Sequence, residues 1–364
     1  MIKVVSCSKE KDNWIIEVES HNLYIDGKGG QIGDRGFIGE TRFLTVLDDK
    51  KIVVQGEMSL GEYTYSIDKD RVFDIGVQHT AQHLFSAIAY NDYSLNTVGF
   101  RMTETYTTVD LDSKDLDENF VDELERKINK SIGEGKDILE KIVTRDEANS
   151  IDTFRKKISD KVIGDVRVIS IDNLDTSACA GYHVKNISEI RLFKIINFEK
   201  IKGNYTRFYF LAGDRAINDF VSKNKTIKEL NRIFSCRDNE ILSMIDKFNS
   251  ERKENESKAR DLSVKYCELL APKLINESIE KDEKKYIVYK DEKHIIENLS
   301  KIIPDDYIFI GVWEDGGVIS SKSIHCGELL KEFSKTINNI KGGGKAERAN
   351  FKGNLSVAEI TNIL

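Results

Sequence analysis

The chain reads as an α+β protein in four parts. These are a β-barrel-like N-terminal domain over 1–72, an α+β domain over 73–214, a helical connector over 215–278 and a small α/β domain over 279–364. Three observations carry that division. Residues 2–70 fall into short strand-like runs separated by turn residues. Residues 215–275 are highly charged, with apolar residues at helical spacing. Beyond about 284, strand-like and helix-like runs alternate, as in a sheet with crossover helices.

Composition narrows the function classes. Of 364 residues, 40% are hydrophobic and 32% charged, the balance of a soluble globular protein. A net charge of −7 argues against coating nucleic acid along the whole surface, but leaves room for local basic patches. The N-terminus meets charge at Lys3, too early for the apolar core of a signal peptide, and no apolar run approaches a membrane span. Five widely spaced cysteines suit a reducing compartment, so the expectation is a cytoplasmic protein without a disulfide framework.

In the first domain, Trp14–Val18, Arg42–Val46 and Lys51–Gln55 read as strands, with Asp48-Asp49-Lys50 as a turn. Between the first strand and the rest, five glycines fall in ten residues from Gly27 to Gly36. Such density means backbone shapes or close approaches that side chains forbid. It serves either a barrel corner or a loop that lets a substrate's backbone come near, with Gln31 as a polar probe. No GxxxxGK[ST] run is present, so a phosphate loop of that kind is excluded.

In the second domain a helix is expected over about 75–90, with His79 and His83 one turn apart on one face. Val77, Ala81, Leu84, Phe85 and Ile88 form an adjoining apolar stripe. One face is therefore expected in a core and the histidine face toward a cavity. HxxxH alone is a weak signal, and here Thr80 stands where a zinc protease places its glutamate base. A second pair, Cys179 and His183, supplies two more donors of the types zinc favours. The four residues are candidate ligands of one transition metal, zinc foremost. Strands are expected at Thr97–Met102, Tyr106–Leu111, Arg167–Ile171, from Glu189, and at Thr206–Gly213. Helices are expected over 117–134 and 146–157.

In the connector the apolar spacing runs Ile241, Ile245, Phe248, then Leu262, Tyr266, Leu269, and the polar gap favours two helices over one coiled coil. Ser235 to Asp238 is the expected cap of the second. The last domain reads as strand 285–289, helix 292–302, strand 307–313 and helix 326–338. It ends in a basic stripe of Lys341, Lys345, Arg348 and Lys352 around Gly342, Gly343 and Gly344. Glycines opening onto a helix would form an anion nest, and the stripe is a candidate contact for a nucleic-acid backbone.

Taken together, Gly29-Gly30-Gln31-Ile32-Gly33-Asp34, His79-Thr80-Ala81-Gln82-His83, Cys179-Ala180-Gly181-Tyr182-His183 and Thr206–Gly213 resemble the motifs of the free-standing alanyl-tRNA editing proteins, relatives of the editing half of alanyl-tRNA synthetase. The final segment resembles the DHHA1 domain that accompanies the long form. The resemblance implies a Zn2+-dependent hydrolase that removes serine, and to a lesser degree glycine, from mischarged tRNA(Ala). It implies Gln31 and Thr80 at the aminoacyl end, with Gly29, Gly30, Asp34 and Arg207 as further substrate contacts. The basic stripe would hold tRNA, and the connector and tail would form a homodimer. Tyr182 departs from the family's small hydroxyl beside a ligand, and Asp26-Gly27-Lys28 replaces a proline and acidic residue. No activation domain of a synthetase is recognisable, so hydrolysis rather than charging is expected.

Two other readings stay open at this level. Four good ligands would fill a tetrahedral zinc, which suits a non-catalytic tRNA-binding module with a structural metal. A metal-dependent phosphoesterase would need an Asp-His-His run or an aspartate-rich cluster, and the sequence has neither.

Overall fold

The computed structural model describes residues 1–155, 158, 164–337 and 340–364. They form two compact units, Met1–Glu229 and Leu230–Leu364. The first unit begins with seven strands: β1 (Ile2–Glu10), β2 (Asn13–Val18), β3 (Gly36–Ile38), β4 (Thr41–Val46), β5 (Lys51–Val54), β6 (Gly61–Tyr63) and β7 (Tyr65–Ile67). Their order is β6-β1-β2-β5-β4-β3-β7, all antiparallel. The two edge strands are separated only by Thr64, so the sheet nearly closes on itself, as the barrel-like reading expects. Alternate residues such as Ile16 and Val18, or Ile52 and Val54, fill the interior. The expected turn is set by Asp48, whose Oδ1 accepts the N–H groups of Lys50 and Lys51, each at 2.8 Å.

Helix α1 (Lys69–Tyr93) carries the histidines. It starts earlier than the apolar pattern suggests because the Asp68 carboxylate accepts the amides of Asp70 and Arg71. Every residue from Ile75 to Ala89 is buried. As expected of its two faces, the apolar stripe lies in the core while His79 and His83 line a cavity. The helix is enclosed by the sheet β13-β14-β9-β8 and α2 on its apolar side and by a loop over its histidine side. The strands are β8 (Thr97–Met102), β9 (Thr107–Leu111), β13 (Phe193–Ile201) and β14 (Tyr205–Ala212), and α2 is Glu118–Glu134. Strands β10 (Ile138–Val143), β11 (Val166–Ile171) and β12 (Asp175–Ala178) form a smaller antiparallel sheet, and β12 hands the chain to Cys179.

Local chemistry explains the boundary differences. The helix expected over 146–157 is α3, only Arg145–Asn149, and the end of that expected span, Lys157, lies outside the described residues. The strand expected from Glu189 starts at Phe193 because the Asn186 side chain accepts the Ser188 amide and caps a helical turn over Ile187–Ile190.

Helix α4 (Asp214–Phe234) and α5 (Ile241–Asn276) are the two connector helices. Ser235–Asp238 does not cap α5. Instead Glu240 accepts the Arg237 amide in a short 3-10 turn before it. The buried row of α5 is Ser263, Cys267, Ala271 and Leu274, not Leu262, Tyr266 and Leu269; Leu269 is 81% exposed. The small residues of the buried row let α5 lie close against α6, which volume rather than hydrophobicity decides.

The second unit holds a six-stranded sheet, β15-β16-β17-β18-β20-β19, made of β15 (Ile279–Lys281), β16 (Lys284–Lys290), β17 (Tyr307–Trp313), β18 (Gly316–Ser320), β19 (Lys341–Gly344) and β20 (Arg348–Lys352). Only β16 and β17 are parallel, joined by α6 (Lys293–Ile302). Helices α5 and α6 cover one face; α7 (Cys326–Thr336) and α8 (Val357–Ile363) cover the other. The end of the expected 326–338 helix lies outside the described residues. The glycine run is not a nest opening a helix. Gly342–Gly344 are extended in β19, and a Cβ on Gly344 would come within 2.3 Å of Ala349 Cα. Close strand contact explains Gly342 and Gly344, whereas a Cβ on Gly343 would meet nothing within 4 Å.

Because Phe85 is fully buried on α1 while Leu269 is exposed, Phe85→Ala is expected to cost roughly 3–5 kcal/mol and Leu269→Ala less than about 0.5 kcal/mol. Denaturant titration of both variants checks this ordering.

Candidate metal centre and cavity

Helix α1 supplies His79 and His83, and the loop after β12 supplies Cys179 and His183. Their ligand atoms all lie within 4.8 Å of one another, the one such group among the described residues. Cys179 Sγ is 3.4 Å from Nε2 of both His79 and His183. The histidine pair was legible because both donors lie on one helix. Its meeting with the second pair depends on how the loop crosses α1. Gly181 allows that crossing, since a Cβ there would fall 2.2 Å from His79 Cε1. Arg167 on β11 then ties the loop down by donating from Nη1 to the carbonyls of Cys179 and Gly181 at 3.0 and 2.7 Å.

Each imidazole is oriented from behind through Nδ1, which leaves Nε2 for the cluster. Gln31 Oε1 is 2.8 Å from His79 Nδ1 and also accepts the Tyr182 amide at 2.9 Å. Thr80 Oγ1 is 3.1 Å from His183 Nδ1 and accepts the Val184 amide. Asp175 Oδ2 is 2.9 Å from His83 Nδ1, and its other oxygen receives Arg155 Nε at 2.8 Å. A carboxylate, an amide oxygen and a hydroxyl behind three imidazoles make the donor set fit a transition metal.

The charges agree. Burial would raise the Cys179 thiol, yet contacts with His183, His79 and His83 bring it down to about 2. Burial lowers His79, and it takes His183 to about 3 despite the thiolate. Burial also opposes charge on His83, but Asp175 and Cys179 lift it to about 9. Desolvation would raise Asp175, but His83 and Arg155 hold it well below the carboxylate range. The protein thus stabilises a thiolate and two neutral imidazoles, the forms that bind metal.

The cluster opens onto a cavity of about 420 Å³. His79, His83 and Cys179 line it, with Tyr24, Phe100, Gln82, Thr97, Ser177 and the cations Lys28 and Arg155. No carboxylate lines it among the described residues. Of the expected substrate contacts, Gly29 lines the cavity, while Gly30 packs on Phe100. Asp34 is buried, receiving the Tyr24 amide at 2.8 Å and the Tyr182 hydroxyl at 3.2 Å. Gln31 and Thr80 are fully buried behind the clustered imidazoles. Arg207 does not line this cavity; it forms a bidentate pair with Asp110 at 2.7 and 2.9 Å on β9.

Asp175, Arg155 and Arg167 were not anticipated from the sequence. An isolated aspartate 92 residues from its histidine leaves no local pattern to find. The five cysteines are all free thiols. No helix of the described residues is long and apolar enough to cross a membrane.

Residues 166–209 match the threonyl and alanyl tRNA synthetase second additional domain. The chain is 31% identical over 250 residues to the alanyl-tRNA editing protein Aarsd1-B of Xenopus laevis, covering 66% of this chain and 60% of that protein. Against Aarsd1 of Bos taurus it is 28% identical over 257 residues, 68% of this chain and 58% of the relative. The alanine–tRNA ligase of Thermoanaerobacter sp. (strain X514) is 27% identical over 361 residues, 89% of this chain and 40% of the ligase. The chain therefore spans about three-fifths of the length of the curated editing proteins it matches.

Replacing Asp175 by Asn is expected to weaken metal binding roughly 10–100-fold. Gly181→Ala, by displacing His79, should do at least as much. Competition with a chromogenic chelator, using zinc(II) as the probe, measures both. Unchanged affinity in either variant contradicts this arrangement of ligands and supports.

Proposed function

We propose that this chain, an Aarsd1-like relative of the alanyl-tRNA editing proteins and of alanine–tRNA ligase, hydrolyses the ester of wrongly charged tRNA(Ala), serine foremost and glycine after it. The observation that carries this reading is the exposure of three of the four clustered donors to a cavity. A purely structural metal needs no such opening. The cavity falls in the ordinary size range of small-ligand sites, roughly 300–1,000 Å³.

His79, His83, Cys179 and His183 would hold zinc, which supplies positive charge for polarising the ester carbonyl or activating an attacking water. Gln31, Thr80 and Asp175 fix the ligand rings, so they act as positioning residues. Lys28 and Arg155 give the cavity a positive rim suited to the terminal phosphodiester, and the carboxylate-free lining avoids repelling it. Tyr24 and Phe100 offer faces for the terminal base. Gln82, Thr97 and Ser177 present polar groups for a serine hydroxyl that alanine lacks. Such a second site is needed because a pocket built for alanine rejects serine only weakly.

In the second unit, Lys293, Trp313, Lys341, Arg348, Asn350 and Lys352 line a groove of about 520 Å³, into which Gly342 also opens. We assign the tRNA backbone to this groove. Lys345 lies outside its lining, and Arg348 also donates to Ser300 Oγ at 3.0 Å.

Purified protein should deacylate seryl-tRNA(Ala) at least tenfold faster than alanyl-tRNA(Ala), and Cys179→Ala should abolish both zinc retention and deacylation. Tight binding of zinc and tRNA without hydrolysis would instead establish the non-catalytic module. Lys341→Glu and Lys352→Glu should weaken tRNA binding irrespective of sequence, each lowering the slope of log Kd against log salt by about 1. Fluorescence anisotropy across a salt series reads this directly.

A further inference from the structure

A second cavity, about 370 Å³, lies against the sheet of the first unit. Its lining includes Phe100, Arg101, Tyr106, Asp110, Arg207 and Tyr209. Phe100 on β8 lines both cavities, but its ring faces the metal side while its neighbours Gly99 and Arg101 face the outer cavity, so this edge strand is the partition between them. On the metal side Phe100 stacks on His79, with ring centroids 5.2 Å apart.

We propose that this outer cavity takes the unpaired nucleotide that precedes the aminoacylated one, its base against Tyr106 and Tyr209 and its phosphate on Arg101. The proposal rests on the esterase reading above, and it carries the nucleic-acid strand around the edge strand β8. Three features of the lining support it. Tyr106 and Tyr209 form an edge-to-face pair with centroids 5.3 Å apart, giving a rigid aromatic wall of the sort on which unpaired bases stack. The two acidic groups beside that wall are already engaged: Asp110 is paired with Arg207, and Glu199 accepts the Tyr209 hydroxyl at 2.6 Å. The Arg207–Asp110 pair also presents donors and acceptors side by side, suited to the hydrogen-bonding edge of a base. Arg101 is exposed, and its guanidinium has no ion pair among the described residues, so it remains for a phosphate. Arg207 thereby keeps a part in substrate binding, but one nucleotide away from the ester.

The test compares two substrates. One is seryl-adenosine, which ends at the terminal nucleoside; the other is a seryl-minihelix bearing the unpaired 3′ strand. Arg101→Glu alters an exposed side chain, and circular dichroism confirms that it folds. It should raise KM for the minihelix tenfold or more with kcat within about twofold, and change KM for seryl-adenosine less than twofold. Tyr106→Leu should do the same, and an abasic preceding nucleotide should remove its effect. Equal changes on both substrates, or no change on either, overturn the proposal. If the wild type cleaves neither substrate, the esterase reading falls. Anisotropy with the uncharged minihelix then decides the subsite separately. Tenfold weaker binding to Arg101→Glu supports it, and equal binding overturns it.

Discussion

The arrangement of the first unit depends on one close crossing, the loop 179–184 laid over the buried turn of α1. Three imidazoles and a thiolate meet there, and each needs a neighbour to make its burial tolerable. The cost of desolvating a thiolate is offset only because imidazole nitrogens point at it. Gln31 arrives from the barrel, Thr80 from the helix, Asp175 from β12. The cluster is therefore where barrel, helix and small sheet are all tied, and loosening one of them disturbs the others.

The same arrangement explains why the cavity is polar without being acidic. The carboxylates near it are consumed: Asp175 by His83 and Arg155, Asp34 by the Tyr24 amide and the Tyr182 hydroxyl. Arg155 is shared between that work and the cavity wall, so the residue that pairs with Asp175 also faces the cavity. Tyr182 in place of a small hydroxyl extends the reach of this network to Asp34, and its ring meets Tyr24 at a centroid distance of 5.5 Å.

Much of this was legible in the chain, and the parts that were not share a physical cause. His79 and His83 declare themselves because helical geometry makes four-residue spacing meaningful, and the strands of the barrel declare themselves by alternation. Asp175, Arg155 and Arg167 act across tens of residues, where no period exists to read. Gln31 and Thr80 were identifiable as belonging to the site, but not the direction their side chains face. On α5, the apolar row at Leu262, Tyr266 and Leu269 was the more hydrophobic and still lost to Ser263, Cys267 and Ala271, because close helix packing rewards small volume. Gly342–Gly344 read as a nest opening a helix, and only the pairing with β20 shows them to be extended strand.

The most direct test of the four-ligand metal centre is X-ray absorption at the metal edge of the zinc-loaded protein. It should show one sulfur at about 2.3 Å and three nitrogens at about 2.0–2.1 Å, with the sulfur shell gone in Cys179→Ser. A sulfur-free or six-coordinate shell in the unaltered protein would contradict it.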